Sequence, residues 1–179
     1  SGPQKEFVDS SPFLRYNAYS GSRAAGVLEV VECHTESAIR LPSVVLDKVK
    51  VSMSRVTGDG GKGDLPPLVS RRFSSLTSIK AVAVPAKDGH PLVFPVLALS
   101  PRKGGAIIMR PAAFREELSD AELPAPGMAC LLTMDAKSYK VEGRVERRGG
   151  YLVLLVEAAY SAMPPLVGEE IDLVGAGGR

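Results

Sequence analysis

Two arginines in the middle of the chain stand where they could hold an anion, though a plain surface arginine at a strand end explains Arg110 equally well. Arg110 closes the apolar run Ala106-Ile-Ile-Met109, and Arg115 follows about one helical turn on. Pro111 stands between them at what reads as the first position of a short helix, whose next free N–H groups would point towards an anion. Glu116 and Glu117 adjoin Arg115, so a solvated ion-pair face competes with ligand binding there. Ser20-Gly-Ser22-Arg23 places two hydroxyls, free backbone N–H groups and a cation within four residues, which suits a phosphate as well as it suits a capped turn. Lys140 lies on the polar side of an alternating strand, open either to solvent or to a ligand.

Other groups carry less. Cys33 is adjacent to His34, but zinc sites need paired ligands at short spacings, and two cysteines and two histidines do not supply them. His90 follows the Asp88-Gly89 turn and reads as turn chemistry. Gly58-Asp-Gly-Gly-Lys-Gly-Asp64 has four glycines in seven residues, yet it lacks the closing Gly-Lys-Ser/Thr of a phosphate loop and reads as a flexible linker. No Ser/His/Asp set, dinucleotide fingerprint or diagnostic pair of acids is present.

Composition sets the frame. The chain has 179 residues, 45% hydrophobic and 23% charged, with a net charge of +2, as expected for one globular domain with a real core. Basic residues are interspersed with acidic ones, which argues against nucleic acid as a partner. No apolar stretch reaches the length of a membrane helix, no signal-peptide layout is visible, and few cysteines suit a reducing compartment; a cytoplasmic setting is expected. The chain starts at Ser1-Gly2 rather than Met, consistent with sequence preceding Ser1.

The elements that must position these residues follow from patterning. Residues 1–23 form a polar arm interleaved with aromatics, and Val27–Glu32 reads as a strand. Leu41 onward reads as a helix with Val45, Leu46, Val49, Met53 and Val56 turned inward and Asp47, Lys48, Lys50 and Arg55 outward. Pro66-Pro67 opens a second helix running to Ser78. Then come Ala81–Val84, the turn Lys87-Asp-Gly89, His90–Leu99, a Gly104-Gly105 turn and Ala106–Arg110: an antiparallel meander. Its strands are apolar on both faces, so both faces should be covered. Pro91 and Pro95 place the middle strand at an edge or bulge. After a short helix over 112–118 and a rigid connector over 123–127, residues 128–134 read as a strand. Ser138–Glu146 and Tyr151–Glu157 form a second hairpin, with Tyr139, Val141, Gly143 and Val145 on one face and Lys140, Glu142, Arg144 and Glu146 on the other.

The segments Ala81-Val-Ala-Val84, Asp88-Gly-His-Pro91, Pro95-Val96 and Tyr139-Lys-Val-Glu-Gly143-Arg144 resemble, in order and spacing, the pyridoxamine 5′-phosphate oxidase-like FMN-binding split-barrel superfamily. The resemblance covers about residues 66–160. It implies a mainly β (α+β) fold, a six-stranded antiparallel split β-barrel with flanking helices. Residues 1–65 would be an N-terminal arm, strand and helix, within or added to the barrel, and 66–179 its core, in one domain overall. It further implies a homodimer that binds FMN at the subunit interface and acts on a small-molecule substrate by hydride transfer. Deazaflavin or haem are alternative ligands of such a barrel, and a non-catalytic binding module is the alternative activity. In that frame Arg110 and Arg115 would neutralise the phosphate, with Ser20, Ser22 and Arg23 as further candidates. Pro95, Val96 and Leu97 would face the ring, and Tyr139 and Lys140 would lie at the interface.

Overall fold

Gly89 has a φ of 84°, and this left-handed residue lets the chain reverse after Pro85. Asp88 Oδ1 accepts the His90 N–H at 3.0 Å, a side chain closing its own turn. The computed structural model describes residues 41–110, 117–132, 137–162 and 167–175. These all belong to one compact unit, residues 39–163 with 167–179; the other unit, 1–38 with 164–166, lies outside the described residues.

The described part contains two helices, α1 (Leu41–Met53) and α2 (Pro67–Ser74), a 3-10 turn (Glu117–Asp120) and seven strands. The strands are β1 (Ile79–Pro85), β2 (Pro91–Pro95), β3 (Leu99–Arg102), β4 (Ala106–Met109), β5 (Ala125–Leu132), β6 (Ser138–Arg148) and β7 (Tyr151–Ser161). They form a single antiparallel sheet in the order β2-β1-β5-β6-β7-β4-β3. The protein is therefore mainly β, as expected. The sequence 90–99, expected as one strand of a meander, is instead divided at residues 96–98. Its first half pairs with β1 and its second half with β4, and β4 goes on to pair with β7.

That division shapes the sheet. β2 and β3 are its two edges, yet they are consecutive in the chain. Seven strands laid flat would separate the edges by about 29 Å at about 4.8 Å per strand. Pro95 and Leu99 stand only four residues apart, a reach of at most about 14 Å. The sheet must therefore curl enough to bring its two edges within that reach at Val96-Leu97-Ala98, without closing. No ladder between β2 and β3 joins them among the described residues. Hydrogen bonds carry the pairing into the link from both sides: Val96 N–H donates to the Lys80 carbonyl at 3.0 Å, and Arg110 N–H to the Ala98 carbonyl at 3.1 Å. The count of seven against six strands arises because one bent strand serves as both edges.

The inside of the curl is the main core. Val82, Val84, Ala129, Leu131, Val141, Val145, Leu154 and Val156 meet there, and α2 closes one end with Val69 and Phe73. A second cluster lies on the outer face, where Val51 of α1 covers Ala106, Ile108, Val153 and Leu155. β4 is consequently buried on both faces, whereas Ile79, Val93 and Leu132 are 62, 60 and 47% exposed. The expectation that both faces of the first hairpin would be covered fails on the outside.

Four further expectations need correction. In α1 Asp47 and Lys48 face the strands: Asp47 pairs with Arg110 at 3.0 Å, and Lys48 Nζ donates to the Leu99 carbonyl at 2.6 Å, while beyond the helix Arg55 is exposed and Val56 packs inward as expected. Val45, Leu46, Val49 and Met53 point outward, with exposures from 48 to 76%. Periodicity locates an apolar stripe but not the side on which its cover stands. The glycine-rich segment is packed: Asp64 Oδ1 accepts the N–H groups of Gly104 and Gly105 at 2.7 and 2.9 Å, and a Cβ on Gly61 would stand 1.9 Å from the Gly105 carbonyl oxygen. Finally, residues 125–127 belong to β5, so the rigid connector is shorter than expected; α2 likewise stops at Ser74 rather than Ser78.

Candidate functional site

Two places on this frame assemble chemistry. The first is the open outer face of β1, β5, β6 and β7. Cross-strand pairing aligns Val93, Ala83, Met128, Glu142 and Ala158 in one row across it. A groove of about 430 Å³ runs over this row, within the size range of small-ligand sites. Its floor is apolar, with Ala83, Pro85, Pro91, Pro126 and Met128, and its charged lining residues are Glu142 and Glu157. A bulge between Glu142 and Gly143 puts Glu157 there: Glu142 pairs with Ala158 and Gly143 with Val156, leaving Glu157 as the extra residue. Gly143 is required at that point, because a Cβ would stand 1.8 Å from the Leu155 carbonyl oxygen.

Lys140 is one pleat repeat from Glu142 on the same face. Its Nζ lies 2.8 Å from Glu142 Oε1 and 4.7 Å from the centre of the Tyr160 ring. The Glu142 hydrogen bond raises the Lys140 pKa above the ordinary lysine value, so this cation holds its charge firmly. Cys130, a free thiol, is the cross-strand partner of Lys140. Burial pushes its pKa up, and the nearby Lys140 only partly offsets this.

The second place is the link between β2 and β3, where α1 lies against the strands. Lys80 continues the inward parity of Val82 and Val84 and is 1% exposed. Its ammonium donates to the carbonyl of Ser75, the residue capping the C-terminal end of α2, a favourable place for a cation. Burial lowers its pKa to about 8, and the charge of Lys48 adds to the effect. Lys48 is lowered too, by burial first and by Arg102 second. Arg102 in turn donates to the carbonyls of Val51, Ser52 and Ser54 at the end of α1.

The residues singled out from sequence divide between these places. Val96, 1% exposed, is in the core beside Lys80; Leu97 is half-buried; Pro95 is exposed at the end of β2. Arg110 closes the link from the β4 side and is engaged by Asp47, with side-chain exposures of 19 and 13%. Tyr139 points into the core, 8% exposed, in the row with Leu131 and Lys80. It lies on the opposite face of β6 from Lys140. Arg115, Ser20, Ser22 and Arg23 lie outside the described residues. Lys48, Lys80 and Arg102 went unnoticed in the sequence. For Lys80 the signal was present: its spacing from Val82 and Val84 already turned it inward.

Fold and site together define a curled antiparallel β protein with an open apolar face and a cationic seam. No family model matches the chain, and no curated protein matches it. Among solved structures, that of a tagged HupZ from Group A Streptococcus is similar over 58% of this chain and 98% of its own, with 12% identity and a TM-score of 0.45. No described helix is long and apolar enough to cross a membrane.

Proposed function

We propose that the chain is a split-barrel protein that binds a flavin, FMN first of all, in the groove on the outer face of β1, β5, β6 and β7. The groove itself carries this reading. It is of ligand size and has an apolar floor suited to a ring system; Glu142 and Glu157 are its charged lining, so a phosphate would have to lie towards Lys140, which pairs with Glu142. The uncovered Ile79, Val93 and Leu132 on the same sheet support a homodimer formed through this face.

Bound flavin would supply the redox chemistry, accepting and donating hydride for a small-molecule substrate. The chain's own residues would bind and orient. Met128 and the prolines would exclude water from one side of the ring, and Lys140 would keep a fixed positive charge at the rim. The engagement of Arg110 by Asp47 favours a second reading: a non-catalytic module for haem, deazaflavin or another ligand that does not depend on that arginine for a phosphate.

One spectrum of purified protein separates these readings. Flavin absorbance, with FMN released on denaturation and reduced by NADH or NADPH, supports the first. Bound FMN that no donor reduces supports the second. Colourless protein that takes up no added FMN refutes flavin binding.

A further inference from the structure

The outward charges of β6 alternate along the strand and pair with one another. Lys140 stands 2.8 Å from Glu142, and Arg144 and Arg148 both pair with Glu146. Glu157 belongs to the neighbouring strand and enters this surface from outside that series. Up to the bulge, Val153 and Leu155 of β7 lie in the outer cluster while Leu154 and Val156 lie in the core. Beyond it, Ala158 stands in the outward row with Glu142, and Ala159 returns to the core. The extra residue therefore gives β7 two consecutive outward side chains, Glu157 and Ala158, and Glu157 is exposed. Strand order then sets the polarity of the groove. Glu142 and Glu157 line its β6–β7 side, while Ala83, Pro85 and Met128 on β1 and β5 form the apolar remainder. Lys140 matches one of the two carboxylates, and the other leaves that side net negative.

We propose that the small-molecule substrate of this groove is an organic cation, an ammonium or guanidinium group on an apolar body. Its charge lies against Glu157 and Glu142, and its body lies over Met128 and Ala83. Charge complementarity carries the choice of occupant: a carboxylate beside an apolar floor favours a ligand with one positive end and disfavours an anionic one. The inference rests on the reading of the groove as a ligand site and names the charge of the substrate there.

Three probes of similar shape test it: phenethylammonium, phenethyl alcohol and phenylpropionate. Each is titrated into the isotopically labelled full chain while its amide resonances are followed. The ammonium should shift the amides of Ala83, Met128, Gly143 and Glu157. It should bind about fivefold more tightly than the alcohol, the upper end for an exposed ion pair, with the carboxylate weakest. Glu157→Gln, an exchange at an exposed position, should lower the ammonium to the affinity of the alcohol and leave the alcohol unchanged. The proposal is overturned if no probe binds, if the ammonium has no preference over the alcohol, if that preference survives Glu157→Gln, or if the shifts fall away from the groove. FMN is titrated in parallel. Protein that binds FMN without preferring the ammonium refutes the cation alone, whereas ammonium preference in protein that takes up no FMN supports the cation and refutes the flavin.

Discussion

Lys80→Met should remove a specific pH dependence from the stability of this protein. In the folded state Lys80 titrates at about 8, and in the unfolded chain at the ordinary 10.5. Below pH 8 it is charged in both states, and its buried charge costs the fold about 3 kcal/mol relative to a neutral group, at about 1.4 kcal/mol per pH unit. Between pH 8 and 10.5 the unfolded chain still holds a proton that the folded chain has released, so stability rises with pH. Above 10.5 the amine is neutral in both states and the cost is gone. The methionine variant has no such term. Near pH 7 the two proteins should be close in stability, because relief from the buried charge is offset by the lost hydrogen bond to Ser75, worth about 1.5–3 kcal/mol when charged. By pH 10.5 the wild type should have gained about 3 kcal/mol on the variant. Arg102, Arg110, Asp47 and the tyrosines are common to both, so the difference reports Lys80 together with its charge coupling to Lys48. Urea unfolding at steps from pH 7 to 10.5 measures it, followed by far-ultraviolet circular dichroism because the chain has no tryptophan. Parallel stability profiles for the two proteins would refute the burial argument.

Other substitutions test the remaining contacts. Asp47→Asn strands a largely buried Arg110 and should cost about 3 kcal/mol in urea unfolding; a loss below about 0.5 kcal/mol would show the pair to be solvated. Gly143→Ala forces a Cβ into the Leu155 carbonyl and should cost about 3 kcal/mol, the upper range for overpacking, visible as a lower denaturation midpoint. Leu46→Lys should change stability by less than about 0.5 kcal/mol if the outward face of α1 is bare, since it is 53% exposed; a loss above about 2 kcal/mol would mean that the face is covered.

What the sequence disclosed follows from how locally each feature is encoded. The two hairpins were legible because a turn and two flanking runs are contiguous, and the alternation of β6 correctly separated Tyr139 from Lys140. The edge position of β2 was legible from Pro91 and Pro95, which lack the N–H needed for a ladder. The break at 96–98 was not, because Val96, Leu97 and Ala98 are as apolar as their neighbours; the break depends on which distant strands take each half. The inversion of α1 was hidden for a similar reason. Asp47 faces inward only because Arg110, 63 positions away, waits for it there. The groove escaped notice because Glu157 reaches it through a bulge, and a bulge is set by pairing rather than by composition.

The three-residue link between β2 and β3 works like the clasp of a hoop. Each neighbouring hairpin closes locally, β1 with β2 and β3 with β4, and the clasp holds the two edges of the unclosed sheet within reach of each other through the chain alone. Tension pulling the edges apart would load Val96-Leu97-Ala98 along its covalent backbone, not across a row of hydrogen bonds. A cut at the Gly149-Gly150 turn would leave the hoop fastened, whereas a cut at Leu97 would let it spring open along the seam where Lys48 and Lys80 sit.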